Sequence, residues 1–304
     1  MRGVPNFAKM GSMALTARVE RWRAAGEIVW FRDREIFVRR RPGRSPPLLL
    51  LHGFPSSSYD WRGFLDAERE QAAIAFDFLG FGLSAKPRDH LYSLSWQADL
   101  AEELVRRHAD GPVFIVAHDM GTSVATELMA RELEGAETVA ALGALLFNGS
   151  ILLDRASPTI GQRMLRSPAG ALFARLSSAR FFKAQLGSTF SDAHPLSREE
   201  ADDQWSLYSH RGGNRLGHRL IHYMDERERL TERWHGAVRD WPKPLSLAWG
   251  MRDPVATSRV LEGLTALRPG AAVSRLEDLG HYPQVEAPER IAEATRSAFE
   301  RPVR

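Results

Sequence analysis

Residues 111–134 read GPVFIVAHDMGTSVATELMARELE. An apolar run leads into Asp119, small residues Ala117 and Gly121 stand two positions to either side of it, and a helical pattern follows. This order predicts a buried strand, a sharp turn and a helix, in which the small residues let helix and strand pack closely. Such a turn presents its central side chain above the end of a sheet, and here that side chain is a carboxylate.

The rest of the chain alternates short apolar runs with helical patterns, which predicts an α/β fold whose mostly parallel sheet has helices on both faces. We expect an antiparallel pair of strands within residues 27–40. Further strands are expected at 47–53, 72–78, 112–118, 140–148, 244–250 and 271–278. Helices are expected at about 94–109, 120–134, 257–267 and 288–300.

Strand patterns are missing from residues 149–239, which are helical in pattern and rich in arginine and aromatic residues. We interpret this segment as a helical cap over the carboxyl edge of the sheet, where ligands of doubly wound sheets bind. Residues 26–148 and 240–304 would then form the core. Residues 1–25 are expected to be a poorly ordered leader, with a surface-binding helix as the alternative.

The composition of the 304-residue chain, 43% hydrophobic and 26% charged, is typical of a soluble globular protein. The absence of cysteine excludes disulfides and thiol chemistry. Basic residues alternate with acidic ones, so we expect no nucleic-acid partner. The chain has neither a run of ~20 apolar residues nor a secretory signal. We therefore expect a cytoplasmic protein without stable membrane insertion, and the sequence leaves its oligomeric state open.

Three further polar features follow predicted strands: His52-Gly53-Phe54-Pro55, Asp253 and His281. The carboxyl ends of parallel strands share one edge, so these residues are expected to meet Asp119 there. The chain order is nucleophile, acid and histidine. We expect Asp119 to be the nucleophile and His281 the general base that activates water, with Asp253 orienting its imidazole. The backbone N–H groups of Phe54 and Met120 are the expected oxyanion hole.

Over residues 27–300 the chain resembles the α/β-hydrolase superfamily and, within it, the branch with an aspartate nucleophile. HGFP resembles the HGxP motif of epoxide hydrolases, which implies a cis bond before Pro55. DFLGFGLSAKP (77–87) resembles the DxxGxGxSxxP segment of the superfamily. The HDMG turn and HYPQ (281–284) are similar to the mesoderm-specific transcript family, which is epoxide-hydrolase-like.

The resemblance implies a cofactor-independent hydrolase of the epoxide-hydrolase type, without a metal. A carboxylate attacks an sp³ carbon that carries a strained oxygen or a halide, and an alkyl-enzyme ester forms. Water then hydrolyses the ester. The apolar and aromatic cap predicts a small or medium apolar substrate.

The cap side chains leave alternatives open. Epoxide hydrolases protonate the opened ring with cap tyrosines, and here the candidates are Tyr223 and Tyr208; no tyrosine occurs between residues 93 and 207. Dehalogenation is the first alternative, with the indole N–H of Trp205 or Trp234 in the cap as the donor to the leaving halide. The residue after the nucleophile is Met120, which has no N–H in its side chain. A non-catalytic protein that binds a small molecule on the same fold is the other alternative.

Other functional roles for single residues have less support from the sequence. Ser123 lies one turn into the helix, outside the sharp turn. Asn148, at the other place for the acid, cannot ionise. His218 and His222 have the i, i+4 spacing of a metal site, but no carboxylate completes an HExxH motif there.

Overall fold

The computed structural model describes residues 14–136 and 138–300. Its strands are β1 Glu27–Phe31, β2 Arg34–Arg41, β3 Arg44–Leu51, β4 Gln71–Phe76, β5 Val113–His118, β6 Ala141–Phe147, β7 Leu245–Gly250 and β8 Ala272–Leu276. They form one sheet in the order β1-β2-β4-β3-β5-β6-β7-β8. Strand β2 pairs antiparallel with β1 and β4, and the other neighbours are parallel. The predicted α/β fold is confirmed.

Fourteen α-helices connect and cover the strands within the described residues. They are α1 Ala17–Ala24, α2 Arg62–Ala67, α3 Leu94–His108, α4 Met120–Leu133, α5 Ile160–Arg166, α6 Gly170–Leu176, α7 Ala179–Gly187, α8 Arg198–Ser209, α9 Gly217–Leu220, α10 Tyr223–Arg229, α11 Thr231–Asp240, α12 Ser258–Leu267, α13 Pro283–Glu286 and α14 Pro288–Phe299. Short 3₁₀ segments occur at Ser58–Trp61, Leu153–Arg155 and His210–Leu216.

The sheet is buried on both faces, which explains why its central strands are apolar throughout. Along β3, Leu49 and Leu51 enter one hydrophobic cluster, and Leu48 and Leu50 enter a second cluster on the opposite face. All six residues of β5 are buried. Each fully buried leucine of this kind stabilises the fold by about 1.5–3 kcal/mol.

The turn between β5 and α4 brings helix and strand into backbone contact. A Cβ atom on Gly121 would collide with the carbonyl oxygen of Leu51 in β3. Asp119 adopts the unusual backbone angles φ 42° and ψ −110°, and its carbonyl accepts a hydrogen bond of 3.1 Å from Thr122 N–H. The turn therefore depends on a residue without a side chain at position 121.

Between β6 and β7 the described residues form helices and connections without any strand. Helices α5–α10 fall in the predicted cap. Helix α11 also falls within the range 149–239, but it packs on α4, where the Trp234 indole donates a 2.9 Å hydrogen bond to Glu127. We propose that the core resumes at α11. The division of the chain into core and cap otherwise stays a prediction.

The expected poorly ordered leader is wrong for residues 17–24, which form α1. Val19 and Trp22 of this helix are buried, and Arg18 pairs with Glu199 and Glu200 of α8 at 3.1 Å each. These partners lie about 180 residues away in the chain, so local sequence patterns do not reveal them. Residues 1–13 of the predicted leader lie outside the described residues.

Within residues 14–136 and 138–300 we find no helix with the length and apolar character that a membrane-spanning segment needs.

Gly121→Ala tests the contact between α4 and β3. Helix propensity alone predicts a gain of about 1 kcal/mol, whereas the collision with the β3 backbone predicts a loss of about 1–3 kcal/mol. We expect the free energy of unfolding, measured by urea denaturation, to fall. Gly111→Ala is the control because a Cβ atom there meets nothing within 4 Å. A more stable Gly121→Ala protein would contradict this account of the turn.

Candidate active site

Asp119 lies at the carboxyl edge of the sheet beside the HGFP loop. Its side chain is buried, and its Oδ2 accepts a 2.9 Å hydrogen bond from the backbone N–H of Phe54. The peptide bond between Phe54 and Pro55 is cis, as the resemblance implied. Gly53 is needed here because a Cβ atom on it would come within 2.8 Å of the Asp119 Cβ. One carboxylate oxygen therefore already sits against a backbone donor.

Hydrogen bonds of the His52 ring stabilise the same loop. Its Nδ1 donates to the carbonyl of Gly53 at 2.8 Å, and its Nε2 accepts from Phe78 N–H at 3.0 Å. Burial lowers the pKa of His52 to about 3. The ring is therefore neutral, which matches one donating and one accepting nitrogen.

Asp253 and His281 form a buried pair after β7 and β8. His281 Nδ1 lies 2.7 Å from Asp253 Oδ2. The other oxygen, Oδ1, accepts from the backbone N–H groups of Val255 at 2.7 Å and Ala256 at 3.0 Å. With Nδ1 donating to the carboxylate, Nε2 is the nitrogen of His281 that has a free lone pair.

Asn148, at the end of β6, supports this carboxylate. Its amide nitrogen donates to Asp253 Oδ2 at 2.7 Å, and its Oδ1 accepts from Gly250 N–H at 2.9 Å. The two positions that the sequence offered for the acid therefore meet, one as a carboxylate and the other as its hydrogen-bond donor.

Neighbouring charges set the protonation of His281. Burial by itself lowers the pKa of His281, but the adjacent Asp253 carboxylate, with smaller contributions from Asp119 and Glu286, raises it above the ordinary histidine value. The acidic groups thus outweigh desolvation.

His118, the residue before Asp119, connects the turn to the His281 loop. Its Nε2 donates to the carbonyl of His281 at 2.7 Å, and its Nδ1 accepts from Gln284 Nε2 at 3.1 Å. Burial lowers the pKa of His118 to about 3, so this ring is neutral as well. The HDMG turn and the HYPQ segment (281–284), which are far apart in the sequence, are therefore in direct contact through His118.

Arg227 of α10 is a buried cation beside Asp119. The sequence patterns did not predict it. Its Nη2 donates to the Asp119 carbonyl at 3.1 Å and lies 3.7 Å from Asp119 Oδ1. Its Nε donates to Ser123 Oγ at 2.8 Å, and its guanidinium lies 4.6 Å from the ring centre of Tyr223. Within the described residues, Asp119 is the one carboxylate at ion-pair distance from Arg227.

No pattern in the sequence indicates that Arg227 is buried. Arg227 occurs in DERERLTER (225–233), which has the alternating charges of a solvated helix face. In the structure Arg227 is 1% exposed, whereas Arg229 pairs with Glu226 at the surface.

A cavity of about 80 Å³ opens beside His281. Its lining is mostly apolar and aromatic, and it comes from both the core and the predicted cap: Phe54, Pro55, Thr159, Gly161, Gln162, Leu165, Phe173, Ser177, Phe181, Phe182, Gln185, Leu186, Thr189, Tyr208, Val255, His281 and Tyr282. His281 N–H donates to the Thr189 carbonyl at 2.9 Å, so the segment predicted to be the cap also holds the histidine loop.

The three cap residues predicted to bind substrate lie at different positions relative to the cavity. Tyr208 lines the cavity and stacks on Phe182 at 4.5 Å. Tyr223 is buried beside Phe54, at 5.6 Å between ring centres, outside the cavity lining. Trp205 also lies outside the lining, packed against Phe182 and Tyr208. Contact of Tyr223 and Trp205 with a substrate stays a prediction.

Two further buried residues lie near the site, and one of them, Met120, was predicted. Met120 begins α4, and its side chain shares a second, small cavity with Tyr223; the role of its N–H in an oxyanion hole stays a prediction. Tyr282, which sequence reasoning did not select, lines the main cavity and donates to the Phe54 carbonyl at 3.3 Å.

His218 and His222 were considered as metal ligands because of their i, i+4 spacing. His222 pairs with Asp225. Among the described residues there is no group of three or more histidine or carboxylate side chains suited to holding a metal ion.

Comparison with known proteins agrees with this architecture. A family model described as the alpha/beta hydrolase family matches residues 48–294. LipZ of Mycobacterium tuberculosis, provisionally described as a hydrolase, is 53% identical over 92% of this chain and 97% of its own.

More distant relatives span most of the chain as well. The human mesoderm-specific transcript homolog protein is 33% identical, over 90% of this chain and 85% of its own. Haloalkane dehalogenase 2 of Mycobacterium tuberculosis is 27% identical, over 84% of this chain and 89% of its own. The chain therefore belongs to the alpha/beta hydrolase family, and haloalkane dehalogenases are among its relatives.

Proposed function

We propose that Asp119, His281 and Asp253 are the catalytic triad of an epoxide-hydrolase-like enzyme that acts on small or medium apolar substrates. The observation that carries the proposal is the arrangement of three features at one edge of the sheet. The Asp119 carboxylate accepts from Phe54 N–H, and His118, the residue before Asp119, donates to the carbonyl of His281, which pairs with Asp253. Phe54 and His281 both line the mostly apolar cavity, whereas Asp119 lies outside its lining.

The first step forms a covalent ester. Asp119 Oδ1 attacks an epoxide carbon, the C–O bond of the ring breaks, and a carbon–Oδ1 bond forms. The released alkoxide takes a proton from a tyrosine of the site, Tyr208 or Tyr223. Burial raises the pKa of both phenols, so each holds its proton until the alkoxide forms.

The second step hydrolyses the ester. His281 Nε2 takes a proton from water as the water oxygen attacks Cγ of Asp119, the carbonyl carbon of the ester. The negative charge develops on the oxygen held by Phe54 N–H, with Met120 N–H as the proposed second donor. The tetrahedral intermediate then breaks its bond between Cγ and Oδ1, and Oδ1 leaves with the diol after taking the proton held by His281. The new carboxyl group carries the oxygen of water; it loses its proton to solvent, and the tyrosinate of the first step takes one back from solvent.

The cavity favours an epoxide over a halide. Its lining includes Tyr208, one of the two proposed proton donors, and contains no tryptophan. An alkoxide needs a proton, which a phenol supplies, whereas a leaving halide needs only a hydrogen-bond donor. Halide removal is the second candidate, supported by the relative named haloalkane dehalogenase 2.

Arg227 is proposed as the counter-ion of the nucleophile. A carboxylate buried to the extent of Asp119 is costly without a cation, and Arg227 is buried equally and faces it. Its hydrogen bonds to the Asp119 carbonyl and Ser123 also hold the turn from the α4 side.

The first test traps the ester. A His281→Gln variant lacks the general base, so the ester on Asp119 should accumulate on exposure to mixed epoxides and alkyl halides, and intact mass spectrometry measures it. An added mass equal to the whole epoxide supports the epoxide proposal. A mass lower than the alkyl halide by one hydrogen halide supports the second candidate.

Two controls make the trapping experiment decisive. Asp119→Asn/His281→Gln should show no adduct, because the nucleophile is gone. An established epoxide hydrolase with the matching histidine substitution should trap the same reagents. If that control traps them and this chain does not, the proposed chemistry is wrong, and the small-molecule binding alternative gains support.

The second test uses pH. His281 must be neutral to act as base, so ester hydrolysis should increase as pH rises through the raised pKa of His281. Asp253→Asn removes the main group that raises the pKa of His281. The acid limb of the rate profile should therefore shift to lower pH. The maximal rate of ester hydrolysis should fall by on the order of 10²–10⁴. Single-turnover rates from pH 5 upward measure both.

Asp278→Asn is the matched control for this substitution, because Asp278 is exposed and pairs with His194 and Arg290 away from the cavity. Its profile should equal that of the wild type. An unchanged acid limb in Asp253→Asn would contradict the assigned pair.

The third test measures the pairing of Arg227 with Asp119. Asp119→Asn leaves a buried cation without its partner and is expected to cost about 3–5 kcal/mol of unfolding free energy. Adding Arg227→Met should restore part of it, with a coupling of about 1–3 kcal/mol by urea denaturation.

The exposed pair of Arg44 and Glu70 provides the control cycle. Its coupling should stay below about 1 kcal/mol, as for other surface pairs. Additive effects at Asp119 and Arg227 would refute the counter-ion role.

A further inference from the structure

Helix α5 exposes large apolar side chains together with an arginine. Ile160 and Met164 are 64% and 41% exposed. They share one side of the helix with exposed Arg163, at i, i+3 and i+4. The opposite side carries Gly161 and Leu165, which line the main cavity.

Helix α6 repeats the arrangement. Leu172 and Leu176 are 60% and 72% exposed, and exposed Arg175 lies between them at the same spacing. Phe173, on the other side of α6, lines the cavity. The two helices pack against each other. We call Ile160, Arg163, Met164, Leu172, Arg175 and Leu176 the α5–α6 face.

This concentration is unusual for the molecule. Four of the ten large apolar side chains exposed by the described residues lie on this face. Scattered single exposed leucines need no explanation, whereas a cluster marks an interaction surface.

The charged residues on the α5–α6 face itself are both arginines, Arg163 and Arg175. The sequence has no aspartate or glutamate between Asp154 and Asp192. Within the described residues, exposed Arg163, Arg175 and Arg180 form no ion pair, whereas Arg166 in the same stretch pairs with Asp225 and Glu228. The face therefore presents aliphatic side chains among unneutralised arginines.

We propose that the α5–α6 face docks on an anionic lipid surface. Aliphatic side chains flanked by arginine are the composition of helices that lie in a membrane interface: the apolar groups enter the acyl boundary and the cations meet the headgroups. Since α5 and α6 also form a wall of the cavity, docking would place that wall at the lipid surface. Docking through this face does not depend on which substrate the site takes.

Charge decides against a second copy of the chain as the occupant. A two-fold contact through this face would place Arg163 and Arg175 against their own copies, without a carboxylate from the stretch 155–191 to neutralise them. An anionic lipid surface supplies the opposite charge.

The test is co-sedimentation of the full chain with vesicles. Vesicles of phosphatidylcholine mixed with phosphatidylglycerol should bind the protein, and pure phosphatidylcholine should bind it more weakly. Added salt should reduce binding to the mixed vesicles. Leu172→Ser/Arg175→Gln should weaken the partition coefficient by about tenfold or more, since one arginine alone contributes about fivefold.

Leu91→Ser/Arg259→Gln is the matched control, with one exposed leucine and one exposed arginine replaced outside the cap. It should bind as the wild type does. Docking is measured by sedimentation of the wild-type chain and the proposed chemistry by the mass of a covalent adduct, so failure of the chemistry and failure of docking are separate results. Thermal unfolding checks that each variant is folded.

Three results would overturn the proposal. One is failure of the wild type to bind the mixed vesicles, or equal binding to neutral ones. Another is an equal loss of binding in the control variant. The third is a dimer in analytical ultracentrifugation that Leu172→Ser/Arg175→Gln abolishes, which would assign the face to self-association.

Discussion

The close approach of α4 to β3 is the constraint on which the site depends. Gly121 lies against the Leu51 backbone, and Gly53 lies against the Asp119 side chain. With any side chain at either position the turn would move outward, and Asp119 Oδ2 would lose its place beside Phe54 N–H. The positive φ of Asp119 is a cost of this geometry, and the surrounding contacts of the turn hold it there.

The histidine loop is held by groups that are themselves neutral or fully paired. His118 at the end of β5 and Gln284 hold it from one side, and Thr189 in the predicted cap holds it from another. Asn148 completes the shell around Asp253. Because a catalytic arrangement tolerates only small displacements, such supporting contacts matter as much as the identity of the three central residues. Under the proposed function, His118 links the nucleophile directly to the base.

Sequence patterns predicted the parts of the molecule that depend on local periodicity and strand ends. Apolar runs located all eight strands. Asp253 and His281, which follow β7 and β8, form a pair, and His118 connects the turn after β5 to the His281 loop. Contacts between distant segments were not predictable: α1 is held by acids of α8, and Arg227 is buried among residues patterned like a surface helix. Burial of a charge depends on what packs over it, and no spacing rule contains that information.

The pairing of Arg227 with Asp119 has a consequence for turnover under the proposed function. When Asp119 becomes an ester its negative charge disappears, and the described residues supply no other carboxylate to Arg227. A buried cation without a partner raises the energy of that state. The charge returns in the tetrahedral intermediate and again in the free carboxylate. Arg227 would therefore destabilise the covalent intermediate relative to the states on either side of it, which favours release of product over a trapped enzyme.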